Sequence, residues 1–367
     1  MRPAEQAASR VLMTPPPPLP PLACLAAAPP WLRMAATLAL GALAALACAA
    51  LGVPLPWMIG PLVATAAGCI AGLPLAAAPP LRHAGQALIG TALGLDFTPQ
   101  VVVLVAAHWA AIVAGIVWAL ALGAAFAALL RRVNPGLDRA TLFFSSAIGG
   151  AAEMTVLAER HGGRADIVAS AHSLRVLMVV LIVPFGLQWA GLHGIDASLP
   201  GPRAVHTPGL ALLLALALAG GFAARRLGVA NAWMLGPLAV AFGLAAGGIE
   251  LSALPKALTN AAQLFIGVAL GTRFTPAFLR TAPRWLATVA AGTLLMMALS
   301  AVYAFALAAL AGLHPATVLL GTSPGGIAEM CITAKVLQLG VPVVTAFHVT
   351  RMAAVVLLAG PLFRRGA

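Results

Sequence analysis

The sequence predicts an all-α integral membrane protein, with about ten transmembrane helices plus two re-entrant broken hairpins, arranged as two homologous repeats in inverted topology. Three observations predict it: long apolar runs, an internal duplication, and the placement of the basic residues. Of 367 residues, 62% are hydrophobic and 8% charged, against about 45–50% and 25% in an ordinary soluble domain, so the chain cannot build a water-facing surface. Lys+Arg number 21 and Asp+Glu 9, for a formal charge of +12. The cations gather at the ends of apolar runs, which is how charge orients membrane spans, and form no stripe that would bind nucleic acid directly. Cys24, Cys48, Cys69 and Cys331 stand singly in apolar surroundings, with the spacing of neither a disulfide framework nor a zinc site.

Taken in order, residues 1–33 carry Pro15 to Pro18, Pro20, Pro21, Pro29 and Pro30, which forbid a helical apolar core and predict a disordered cytoplasmic tail. Membrane repeat 1 follows over 34–190, a linker over 191–207, and membrane repeat 2 over 208–363. Each repeat holds six apolar segments, a to f. In the first they cover about 34–51, 55–73, 82–97, 100–130, 140–158 and 166–190. In the second they cover about 208–224, 230–249, 256–273, 285–312, 316–335 and 342–363. Runs of this length can cross ~30 Å of hydrocarbon as helices.

The duplication is read residue by residue. Trp57-Met58-Ile59-Gly60-Pro61-Leu62 returns 176 positions later as Trp233-Met234-Leu235-Gly236-Pro237-Leu238. Gln86, Gly90, Gly94 and Phe97-Thr98-Pro99 return at 177 as Gln263, Gly267, Gly271 and Phe274-Thr275-Pro276. At 176 again, Gly149-Gly150-Ala151-Ala152-Glu153-Met154 matches Gly325-Gly326-Ile327-Ala328-Glu329-Met330, and His172 and Arg175 match His348 and Arg351. So many identities in register make chance likeness between Ala/Leu-rich helices untenable.

Cation counting decides how the copies face. If all six segments span, the loop cations divide almost evenly between the two sides. If segment e enters and leaves on one side, 16 of the 21 fall inside, with only Arg203, Lys256 and Lys335 outside and Arg175 and Arg351 within the membrane. The positive-inside rule therefore selects five spans and one re-entrant hairpin per repeat, with both termini cytoplasmic.

Segment e has its own reason not to span, because Gly149-Gly150 and Pro324-Gly325-Gly326 break each copy. Irregular backbone at membrane depth survives only where protein buries it or a wet cavity meets it. Ser323 before Pro324 reads as the N-cap of a short helix running through Glu329. Each Glu then sits near the positive end of a half-helix. Arg175 and Arg351 lie about ten residues into segment f, where an arginine costs ~2.5–3.5 kcal/mol or more. Each shares a helical face with its histidine, His172 or His348, three residues earlier. Pairing of Glu153 and Glu329 with these arginines is expected, either as a staple between hairpin and helix f or as part of a substrate and coupling-ion site. A Glu able to take a proton beside a titratable His suits proton coupling. Gln86 and Gln263 are expected to bond the broken backbone or a ligand. Trp57, Trp109, Trp233 and Trp285 are expected to be interfacial anchors, and the duplicated Gly-xxx-Gly spacings to form close-packing faces.

The duplicated Trp-x-x-Gly-Pro and Gly-Gly-x-x-Glu-Met blocks, with the downstream His-x-x-Arg, resemble the bacterial AbrB family of integral membrane proteins over about residues 34–363. The resemblance implies a multi-pass inner-membrane protein linked to regulation of gene expression, and the family also carries an ammonia monooxygenase label. Such an oxygenase needs copper or iron, yet the eight histidines are scattered and only His172 and His348 occupy matched apolar sites, so no metal, cofactor or enzymatic activity is expected. No helix-turn-helix or basic arm is visible, so an effect on transcription would be indirect. Two functions remain in view: a permease for a small solute, with anions or carboxylates favoured by the arginines, and a membrane sensor. Short loops favour the permease. The lipid bilayer is the expected partner, and self-association into a homo-oligomer stays open.

Overall fold

The computed structural model describes residues 28–192, 194, 203–276, 278 and 283–365; the greater part of the tail and of the linker lies outside them. Among the described residues there are fifteen helices and no strand. In the first repeat these are α1 (Pro30–Ala50), α2 (Pro56–Ile70), α3 (Pro79–Gly94), α4 (Pro99–Ala107), α5 (Trp109–Val133), α6 (Arg139–Ser146), α7 (Ala151–Arg160) and α8 (Ala165–Trp189). The second contains α9 (Thr207–Arg226), α10 (Ala232–Ala246), α11 (Lys256–Gly271), α12 (Pro283–Ala311), α13 (Pro315–Thr322), α14 (Ile327–Val336) and α15 (Val341–Arg365). Prolines open α1, α2, α3, α4 and α13 in the first turn, where a missing N–H costs nothing and the fixed φ suits a helix.

Six helices, α1, α5, α8, α9, α12 and α15, are long and apolar enough to cross a membrane. Several of the others are shorter than the sequence suggests. Segment b yields the 15-residue helices α2 and α10, about 22 Å long at 1.5 Å per residue. Segment d of the first repeat is interrupted at His108, giving α4, which bends 87° away from α3, and then the span α5. The first helix also starts at Pro30, slightly earlier than the expected end of the tail.

The short helices form the most extensive contact between the repeats, beside packing of α5 and α8 on α12 and of α5 on α15. α3 packs on α10, and α11 packs on α2. Between apolar helices in lipid the gain comes from close backbone approach, which small residues permit. Gly94 lies where a Cβ would fall 2.5 Å from the Leu238 carbonyl oxygen, and Gly267 where it would fall 2.6 Å from that of Met58. The Gly-xxx-Gly spacings are thus contact faces between the two copies.

Segment e is a hairpin in both copies. The Arg164 backbone N–H, just past α7, donates to Thr141 Oγ1 at the start of α6 at 2.7 Å. In the second copy Gly340, just past α14, abuts Thr317 at the start of α13. Each pair of half-helices therefore leaves from the end at which it entered. The two mouths lie at opposite ends of α15, which starts beside Gly340 and ends where Arg139 Nη2 donates to the Phe363 carbonyl at 3.0 Å. α8 makes the reciprocal journey, from Arg164 to the Gly194 N–H that donates to the Leu337 carbonyl at 3.1 Å.

Candidate functional site

The two tips meet at mid-height. Gly149 lies against Val355 of α15, and Gly325 against the matching Val179 of α8. One cavity of about 320 Å³ is lined by both tips, by Glu153 and Glu329, His172 and His348, Arg175 and Arg351, and by Gln86. Arg82, His83, Asn231, Trp233 and Arg273 complete its polar wall. Both second half-helices, α7 and α14, start at this cavity, so their unsatisfied N–H groups and positive dipole ends face it.

The arginines do not pair with the glutamates. Arg351 donates to the Ser323 carbonyl at 2.6 Å and the Gly325 carbonyl at 2.7 Å. Arg175 donates to those of Ser145 at 3.3 Å and Ala147 at 2.8 Å. Ion pairs among the described residues join Arg164 to Asp166, Arg203 to Glu250 and Lys335 to Asp96. The physical reason is that α6 and α13 end at mid-height and leave carbonyls with no helical partner. A guanidinium offers five donors, enough to satisfy a cluster of them, and its charge suits the negative end of a helix.

The histidines complete the clamp. Arg175 Nη2 lies 2.7 Å from His172 Nδ1, and His172 Nε2 lies 3.0 Å from the Phe144 carbonyl. Arg351, His348 and the Leu320 carbonyl repeat this at 2.8 and 2.9 Å. Arginine only donates, so Nδ1 accepts and Nε2 carries the proton to the carbonyl, which fixes a neutral tautomer in each ring. Both rings are spoken for, so they are not the titratable partners expected beside the glutamates.

Glu153 and Glu329 are the third residues of α7 and α14, at the N3 position behind glycine N-caps. Each side chain folds back so far that a Cβ on Gly150 or Gly326 would meet its Oε2. Glycine at the N-cap is therefore a requirement of the carboxylate's position. Glu153 Oε1 also accepts from the Asn231 backbone N–H at 2.9 Å, and Gln86 Nε2 donates to Asn231 Oδ1 at 3.0 Å. These bonds tie the first tip to the second repeat.

Ser323 does not cap the helix after it. α14 starts four residues later with Gly326 as N-cap, because residues 323–326 stay extended and present carbonyls to Arg351. Ser323 closes α13 instead, and its Oγ donates to Leu320 O at 3.0 Å. Gln263 lies away from the central cavity, in a second cavity of about 710 Å³ lined also by Asp96, Arg203, Lys256 and Lys335. Trp109 is exposed, as an interfacial anchor would be, whereas Trp285 is buried with its indole N–H donating to Ser170 Oγ at 3.3 Å, and Trp233 stacks on His83.

Sequence reasoning missed Asn231, which it did not single out, and Arg82 and Arg273, which it counted only among the inside cations. A signal existed for Arg82 and Arg273: Arg82 stands one turn before Gln86 within α3, and Arg273 follows the Gln263-bearing α11 by two residues. Asn231 has a left-handed backbone at φ 49°, as does Leu55 at the matched position. Asparagine tolerates that conformation better than most residues.

An all-helical chain with long apolar spans, duplicated half by half and broken at mid-height by two charged hairpins, is a membrane-type protein. It belongs to the AbrB family, whose model, described as "Transition state regulatory protein AbrB", matches residues 57–366. Among its relatives, "Uncharacterized protein YhjN" of Bacillus subtilis (strain 168) is 26% identical over 339 residues, covering 85% of this chain and 88% of the relative. "Putative regulator AbrB" of Escherichia coli (strain K12) is 26% identical over 324 residues, covering 86% of this chain and 91% of the relative.

Proposed function

We propose that this protein is a secondary-transporter-like permease of the inner membrane for a small anion such as a carboxylate, not an enzyme, with ten crossings and both termini cytoplasmic. One observation carries the proposal. Both hairpin tips face a single cavity toward one end of the molecule, while the second cavity lies toward the other end, across an apolar core that includes Leu55, Ile89, Leu93, Ile266, Ile327 and Ile332. A central site with one aqueous approach at a time is the arrangement of alternating access around inverted repeats.

The inverted reading is supported by the hairpin mouths at opposite ends of α8 and α15. It is supported too by the cations: Arg82 and Arg273 line the first cavity, while Arg203, Lys256 and Lys335 line the second. The anion follows from the wall chemistry. Four arginines face two glutamates there, two half-helices aim their N-termini at the space, and the buried Arg175 Nε has no hydrogen-bond partner. With both histidines locked, Glu153 and Glu329 are the groups left to carry a coupling proton.

Uptake of labelled organic acids, amino acids and amines by a deletion strain and its complemented parent tests the reading, followed by the purified protein in liposomes with any solute that differs. A carboxylate entering the liposomes is expected. A solute that binds but never crosses would replace the permease with a membrane regulator, the role in the name of the Escherichia coli relative. Glu153→Gln and Glu329→Gln are expected to remove the pH dependence of uptake, and an unchanged rate and pH profile in both would remove the proton from the mechanism.

A further inference from the structure

The two repeats differ in one systematic way. Lys335, near the end of α14, pairs with Asp96, just past α3, at 2.9 and 3.2 Å. The matched residues in the other copy are Glu159, near the end of α7, and Arg273, just past α11. Both signs are reversed, yet the two positions remain complementary.

Their surroundings differ as well. α14 packs on α3, and every residue from Ile327 to Ala334 is buried. No comparable packing joins α7 to α11, and on α7 only Met154 and Ala158 are buried. Beside α7 runs a cleft lined by Ala151, Ala152 and Thr155, by Asp166 and Ser170 of α8, and by Arg273 just past α11. Glu159 is exposed, and it forms no ion pair with Arg273 within 4.0 Å. At one end of the molecule the acid-base pair is made, and at the other the matched pair is apart.

We propose that Asp96–Lys335 and Glu159–Arg273 are alternating gates, one made when the other is broken, so that the conformation described here is the one open toward Arg82 and Arg273. It rests on the two-state reading above. Closing α7 onto α11 would bring Glu159 to Arg273 by the same motion that separates α14 from α3. The half-exposed Lys335, 44% accessible beside an 8% accessible Asp96, suits a latch, because a partly solvated pair is worth little and can be traded for its counterpart. The sign reversal also prevents mispairing, since neither gate's residues can substitute for the other's without setting like charges together.

The test uses the full-length protein in membranes, with its four cysteines replaced, and a short bifunctional thiol cross-linker as the probe. Asp96→Cys with Lys335→Cys is expected to cross-link readily, which also reports that the protein has folded. Glu159→Cys with Arg273→Cys is expected to cross-link in a minority of molecules. Adding Lys335→Ala should raise that yield about two- to fourfold, the shift that loss of one partly exposed pair can produce. A second pair that never cross-links, or whose yield ignores Lys335→Ala while the first pair links normally, overturns the proposal. No transported solute enters this assay, so it decides the gates separately from the uptake experiment above, whose failure would sink the permease and leave the gates standing.

Discussion

Arg351→Leu and Arg175→Leu are each expected to leave little folded protein. Arg351 donates to two carbonyls at the second tip and to His348 Nδ1, and Arg351, Ser323 and His348 are each 5% exposed or less. A hydrogen bond to a charged group contributes ~1.5–3 kcal/mol, and removing one member of a buried set costs ~3–5 kcal/mol because the remainder stays desolvated. Set against a total stability of ~5–15 kcal/mol, this is most of the margin. Leucine also leaves the buried Ser323 and Gly325 carbonyls without their donor. Arg351→Lys should recover part of the loss, since an ammonium supplies charge but lacks the planar fork that reaches two carbonyls and a ring nitrogen together. Size-exclusion profiles and thermal unfolding in detergent report the order wild type, Lys, Leu. Equal stability of all three would show that the clamp is not what holds the tip.

Much of this region was legible from residue types alone, for definite reasons. Gly149-Gly150 and Pro324-Gly325-Gly326 announce a break because an apolar helix has no other use for them, and an arginine ten residues into an apolar run announces a buried partner. What the arginine binds was not legible. Glutamate is the partner visible in a sequence, but a broken helix also creates bare carbonyls, and every residue carries one. The register of α14 was missed for a related reason: Ser-Pro is a common helix start, yet here the extended residues 323–326 are needed to present those carbonyls. Lys335 was read only as an outside cation and Asp96 was not singled out, because the two are 239 residues apart, and pairing across repeats follows from the packing of α14 on α3, which no local pattern reports. The same holds for Asn231, whose role depends on Glu153 arriving from the other copy.

Gly94→Ile and Gly271→Ile carry the second large effect, and they test the contact between repeats without touching a charge. A Cβ on Gly94 would lie 2.5 Å from the Leu238 carbonyl oxygen, 2.7 Å from Ala241 Cβ and 2.8 Å from the Phe242 nitrogen. On Gly271 it would lie 2.6 Å from the Leu62 carbonyl oxygen and 3.0 Å from the Ala66 nitrogen. These obstacles are mostly backbone, so no rotamer change relieves them and the helices must part. Overpacking of a close interface costs ~1–3 kcal/mol or more. Water gives no compensating drive, because separated helices in lipid stay as well solvated as packed ones and only contact is lost. Gly243→Ile, on α10 with open space at its Cβ, is the matched control and should behave as wild type. Thermal midpoints of the first two variants should fall by several degrees while the third is unmoved. If all three fell together, the cause would be isoleucine in these helices; if none fell, the repeats would be held together elsewhere, and the glycine faces would be a by-product of a small-residue composition.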